Sequence, residues 1–155
     1  RQAIESGWMF GIMRRESVFM SDIGSSAGAQ GLMQLMPGTA KDVARKLALP
    51  APSKSDLHDP ATNMRLGSAY LGDVLERFDG NQVLATAAYN AGPGRVNRWL
   101  PKGESLPADI WVDTVPFTET REYCRAVLHY ATVFDWRLHG ETKPMSSRMP
   151  TVSGS

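Results

Sequence analysis

Apolar residues recur three or four positions apart along most of the chain, the period of an α-helix rather than a strand. Met9, Ile12, Met13, Phe19 and Met20 share one such stripe, and their spacing predicts a first helix from about residue 2 to residue 20. Glu16 falls on this stripe, while Arg14, Arg15, Ser17 and Ser21 take the polar face. The run SDIGSSAGAQG then interrupts, since each glycine costs a helix about 1 kcal/mol relative to alanine. GLMQLM predicts a short helix ended by Pro37 and Gly38. Thr39 predicts the N-cap of AKDVARKLAL, with Ala40, Val43, Ala44 and Leu47 inward.

PAPSKSDLHDP reads as a loop from its proline and polar content. Asp59 before Pro60 is a strong helix start, an N-cap acceptor followed by proline at the first helical position. Met64, Gly67, Leu71, Val74, Leu75 and Phe78 line one face from there to Asp79-Gly80. The apolar segment VLATAAYNAG ends at Gly92-Pro93, GRVNRWL adds a turn or two of helix before Pro101, and PKGESLPADIWVDTVPF is irregular. From Thr118 a long helix is predicted, with Tyr123, Val127, Tyr130, Ala131, Phe134 and Leu138 inward and Gly140 as its C-terminal cap. The pattern therefore predicts one mainly α domain over residues 1–140, with irregular Gly/Ser-rich loops. A flexible C-terminal tail, rich in Ser, Met and Pro, is expected over 141–155.

Composition narrows the function classes. A chain of 155 residues holds about one domain. Its 17 basic and 16 acidic residues nearly cancel and are scattered, so nothing marks a surface for nucleic acid or an anionic membrane. No run approaches the roughly 18 apolar residues of a membrane span. Cys124 is the only cysteine, which excludes an intrachain disulfide and a CxxC site; it reads as a small buried hydrophobe. His58, His129 and His139 lack metal-ligand spacing, and NAGPGR lacks the strand and lysine of a phosphate loop, so no metal and no cofactor are expected. The chain starts at Arg1 and shows no charged-then-apolar leader, so either an export signal has been removed or this is a domain of something longer; the second is expected, because RQAIESGW reads as if entered mid-helix.

Glu16 is the position that asks for chemistry. An ionised carboxylate is costly to take out of water. Either its end reaches solvent or a nearby arginine, or apolar surroundings raise its pKa from about 4.3 towards 6 and make it a general acid for a leaving glycosidic oxygen. Position alone leaves the two level.

The neighbouring blocks separate them. RRES, then SSAGAQGLMQLMPGTA, then AAYNAGPGRVNRWL and VPFTETREYCRAVLHY resemble, in order, the catalytic domain of the soluble lytic transglycosylases, lysozyme-like enzymes that cleave bacterial peptidoglycan. The resemblance spans roughly residues 8 to 140 and implies a lysozyme-like single catalytic domain. It makes Glu16 the sole catalytic acid and base. Ser25 matches a serine beside the reacting sugar, with Ser26 leaving the register open by one. Gln34 and Met36 match residues lining the saccharide groove, Tyr89 a tyrosine whose hydroxyl sits by the catalytic glutamate, Asn90 a residue shaping that wall, and Glu119 a glutamate that hydrogen-bonds the glycan. The residue types agree: a glutamine can donate and accept, and a tyrosine ring can pack while its hydroxyl orients a carboxyl. Without the resemblance, Met33, Met36 and Tyr89 would read as core residues and Glu119 as a complement to a helix dipole. Met20, where many members carry Asn, and Gln30, where they carry a small or variable residue, depart from the pattern.

The activity implied is cleavage of the β-1,4 bond between N-acetylmuramic acid and N-acetylglucosamine to 1,6-anhydromuramoyl products. No second acid stands near Glu16 in any motif; Asp22 matches no catalytic position. A goose-type muramidase that hydrolyses, and an inactive glycan-binding module, are the alternatives. The expected partners are peptidoglycan glycan strands and cell-wall synthesis or remodelling proteins, with no nucleic acid and no integral membrane span. The expected location is the periplasm of a Gram-negative bacterium.

Overall fold

The helix that carries Glu16 is shorter than its hydrophobic stripe. In the computed structural model, which describes residues 3–154, α1 spans Ser6–Ser17. The predicted start at Gln2 lies outside the described residues. At the other end Val18 and Phe19 take φ of 53° and 62°, a left-handed conformation that stops the helix and that a β-branched residue rarely adopts. Phe19 and Met20 are consequently exposed, and Ser17, expected on the polar face, is buried instead. The chain divides into two compact units, one formed by Ile12–Leu71 and one by the segment up to Gly11 with everything from Gly72 on.

Within Ile12–Leu71, GLMQLM is not a helix. It is a turn between two isolated bridges, Gly24 with Gln30 and Gln30 with Leu35, and Gln34 has φ 47°. The cause is Asn63, fully buried, whose side chain captures backbone groups that a helix would use. Its Oδ1 accepts from the Met33 amide at 2.8 Å and its Nδ2 donates to the Gln30 and Leu57 carbonyls at 2.9 and 2.8 Å. Gly31, at φ 77°, lies so close to the Leu57 carbonyl and the Asn63 amide that a Cβ would strike both. Pro37-Gly38, read as a stop, is the first turn of α2 (Pro37–Lys46), with proline at the position where its missing N–H costs nothing. Ala40, Val43 and Ala44 are buried as predicted, and Leu47 is half-buried.

The proline-rich loop hides a short helix, α3 (Lys54–His58), closed by a capping box: Ser53 accepts from the Asp56 amide, and Asp56 accepts from the Ser53 amide. Asp59 then starts α4 (Pro60–Arg77) as predicted, accepting from the amide and hydroxyl of Thr62 at 2.8 and 2.7 Å.

In the other unit, Asn81 caps α5 (Gln82–Ala91) by accepting from the Val83 and Leu84 amides, and α6 (Pro93–Trp99) follows. The stretch expected to be irregular contains β1 (Ser105–Leu106) and α7 (Ala108–Thr114), which buries Trp111 and Val112. The Trp111 indole donates to the Trp99 carbonyl at 2.9 Å. The long helix α8 (Thr118–His139) ends at Gly140 in the left-handed conformation, as its sequence requires. Leu138 is exposed rather than inward, because Asp135 holds the buried position of that turn. Gly11 permits a backbone approach in which a Cβ would meet the Val127 carbonyl at 2.7 Å, and Trp8 is buried with its indole donating to the Thr86 hydroxyl at 3.0 Å.

The segment expected as a flexible tail is folded up to Gly154; Ser155 lies outside the described residues. A 3-10 turn covers Met145–Arg148, and β2 (Val152–Ser153) pairs antiparallel with β1. Arg148 is buried and bonds both Asp135 and Glu5. Composition read this segment as loose because a single buried arginine with its carboxylates has no periodic signature. Among the described residues no helix is long and apolar enough to cross a membrane.

Candidate active site

Glu16 stands in the last turn of α1 and is half-buried, neither sealed in the core as its stripe implied nor fully exposed. The negative end of the helix macrodipole lies there. The adjacent Ser17 is 1 % exposed and donates its hydroxyl to the Leu32 carbonyl at 2.7 Å, with the Met13 carbonyl at 3.2 Å as a second acceptor. The end of α1 is thereby fastened to the GLMQ turn. Arginines 14 and 15 occupy the same last turn.

Ser25 is exposed on a tight turn. Its amide donates to the Ala29 carbonyl at 2.9 Å, and its hydroxyl oxygen accepts from the Ala29 amide at 3.0 Å. That bond uses the hydroxyl oxygen as acceptor and does not use its proton. Gln34 differs from its expectation. Both bonds of its Nε2 go to backbone, the Ile23 carbonyl at 3.0 Å and the Gly31 carbonyl at 2.8 Å, so only its oxygen remains to meet a ligand. That oxygen can accept from an amide N–H or a hydroxyl. Met36 is 44 % exposed at the start of α2, whereas Met33 is fully buried against Gly67.

The remaining candidates lie in the second unit. Tyr89 is half-buried in the last turn of α5. Asn90, beside it, accepts from the Thr120 hydroxyl at 2.8 Å and donates to Glu119 Oε1 at 3.3 Å. Asn90 and Glu119 are thus brought together as one polar wall, held from beneath by buried Thr120. A cavity of about 540 Å³ in this unit, lined by Phe78, Asn81, Asn97, Leu100 and Thr151, contains none of these residues. Among the described residues no cluster of His, Cys, Asp and Glu suits a metal ion. Burial pushes the Cys124 thiol up to about 12, which makes it inert.

A family profile described as "Transglycosylase SLT domain" matches residues 1–112. The chain belongs to this family. Among its relatives, the soluble lytic murein transglycosylase of Escherichia coli K12 is 38 % identical over 146 residues, which is 93 % of this chain and 23 % of that protein. Among solved structures, an inactive mutant of a lytic transglycosylase from Pseudomonas aeruginosa superposes with a TM-score of 0.87 at 51 % identity, over 92 % of this chain and 23 % of the other. The 70 kDa soluble lytic transglycosylase of Escherichia coli gives 0.86 at 36 % identity, over 96 % and 24 %. These neighbours bear out the mainly α, lysozyme-like fold. The chain spans about a quarter of the length of the relatives it matches.

Three supporting residues escaped the sequence reading: Ser17, Asn63 and Thr120. A signal existed for two. Asn63 sits four before Gly67 and Thr120 three before Tyr123, polar residues on predicted apolar stripes. Ser17 had none, because its burial depends on the turn at Leu32.

Proposed function

We propose that this chain is the catalytic domain of a peptidoglycan lytic transglycosylase, with Glu16 as its acid and base. The observation that carries this reading is the half-buried carboxyl of Glu16 in the last turn of α1, next to a serine anchored on the GLMQ turn. The relatives' names, which are those of lytic murein transglycosylases, support the substrate class.

In the first step Glu16 donates its proton to the glycosidic oxygen as the bond from the anomeric carbon of N-acetylmuramic acid breaks. The acetamido oxygen of the same sugar stabilises the cationic carbon, a substrate-assisted exception to the two-carboxylate scheme. The Glu16 carboxylate then takes the proton of the sugar's 6-hydroxyl, whose oxygen closes on the anomeric carbon. One residue serves both steps, and no water is consumed. Ser25, Gln34 and Met36 are assigned to the saccharide, the first as a donor and the second as an acceptor. Tyr89 is assigned to the catalytic step through its hydroxyl, and Asn90 with Glu119 binds glycan hydroxyls.

The bacterial relatives come from Gram-negative species and include membrane-bound forms, which supports action in the cell envelope. We place it in the periplasm, on glycan strands shared with cell-wall synthesis or remodelling proteins. The deciding experiment digests purified peptidoglycan and weighs the products. Anhydro ends are expected; products heavier by one water would make the chain a hydrolase, and binding without turnover would make it a glycan-binding module.

A further inference from the structure

The turn that presents Ser25 has no helix or strand of its own to hold it. Ser25 and Ala29 close it through one backbone bond and one to the Ser25 hydroxyl, the Gly28 amide donates to the Ser25 carbonyl at 3.0 Å, and Gly28 sits at φ 97°. What fixes it lies behind it, in the side chain of Gln30. Gln30 is 7 % exposed, and its Nε2 donates to the Gly28 carbonyl at 3.0 Å. Its Oε1 lies 2.7 Å from Nε2 of His58, the last residue of α3. An amide oxygen only accepts, so His58 carries a proton on Nε2 and donates it. The Gln30 backbone carbonyl is meanwhile held by Asn63, and Gly24 packs against the Gln30 amide, where a Cβ would meet it at 3.2 Å.

We infer that Gln30 and His58 form a positioning relay for the Ser25 turn: His58 orients the Gln30 amide, and the amide holds the Gly28 carbonyl and with it the serine hydroxyl. This rests on the proposed function. It deepens that reading by assigning a role to a residue at which the chain departs from the family pattern. Neither residue touches substrate in this scheme. Both act by removing a swivel: with its oxygen taken by His58, the Gln30 amide cannot flip and turn an acceptor towards the Gly28 carbonyl.

Gln30→Glu tests the relay because it keeps the shape and the acceptor for His58 but removes the donor to Gly28. His58→Phe tests it from the other end, at a half-buried position. On a soluble peptidoglycan oligosaccharide, each is expected to lower kcat by roughly tenfold to a hundredfold, the scale of a misplaced group, with KM changed less. In a Ser25→Ala background the same substitutions should cost less than about threefold, because the group they position is gone. Amide hydrogen exchange at Gly28 and Ala29 should accelerate in both variants. Full activity in both variants, an equal loss with and without Ser25, or unchanged exchange at these two amides would each overturn the relay. A wild-type chain that releases no anhydro product would instead remove the functional reading, and amide exchange in the two variants would then decide the relay by itself.

Discussion

Ser17 donates its hydroxyl to the Leu32 carbonyl at 2.7 Å, and this bond ties the residue after Glu16 to the turn before Gln34. Removing the donor in Ser17→Ala leaves a carbonyl in a buried setting without it, at a cost of about 1–3 kcal/mol. The expected outcome is a lower unfolding temperature together with a reduced turnover rate. Thermal unfolding and product release measured on the same variant check both.

Glu16→Gln should abolish release of soluble fragments from purified peptidoglycan while the fold survives, since the amide matches the carboxyl in shape and cannot give up a proton to a leaving oxygen. Circular dichroism checks the fold and fragment release checks the activity. Retention of more than a few per cent of wild-type activity would take Glu16 out of the mechanism.

Ser25→Ala and Tyr89→Phe each remove one hydroxyl and leave the proton donor in place. Each should reduce activity by roughly tenfold to a thousandfold without eliminating it, the range of a single stabilising or orienting group. Initial rates of anhydro-product formation report the loss, and wild-type rates in both would discard the assigned site.

Arg148 is buried with Asp135, and it reaches Glu5 at 2.8 Å; Lys143 stands 3.8 Å from the same Asp135 carboxylate. Arg148→Ala strands a buried carboxylate and should cost about 3–5 kcal/mol, or very roughly 10 °C in Tm for a chain of this size. Pairing Arg148→Met with Asp135→Leu should recover much of it, because the two apolar chains need no counter-charge. Calorimetry of the single and double variants is the measurement.

Cys124 is buried, and desolvation raises its thiol to about 12. The unfolded chain ionises near the ordinary thiol value of about 8.5. Stability from this group is thus undiminished below that pH and falls as pH rises from it towards about 12. The native chain should resist alkylation at pH 8 and be modified once unfolded, as mass measurement after iodoacetamide treatment would reveal. Rapid native labelling would show that the thiol is reached from solvent.

Much of the helix plan was legible because it is local. Asp59-Pro60 starts α4, Gly140 ends α8, and the stripe from Val74 to Phe78 is buried as its period requires. The reading failed where a distant side chain overruled local preference. Asn63 turns GLMQLM into a looped segment, and Val18 and Phe19 end α1 in a conformation their residue types disfavour. α7 was missed because its residues 108–114 sit between prolines, where punctuation outweighs a two-turn pattern.

For the candidate site, the resemblance of short motifs nominated Glu16, Ser25, Gln34, Met36, Tyr89, Asn90 and Glu119 as candidates, since such motifs carry residue identity. It did not reach the hydrogen-bond directions that set what each can do. Gln34 keeps only its oxygen for a ligand, and Asn90 joins Glu119 to buried Thr120. Periodicity reports which face of an element is apolar, and that alone determined the helical plan and the suspicion about Glu16. Which polar atoms are already bonded depends on partners tens of residues away, so only the folded chain decided it.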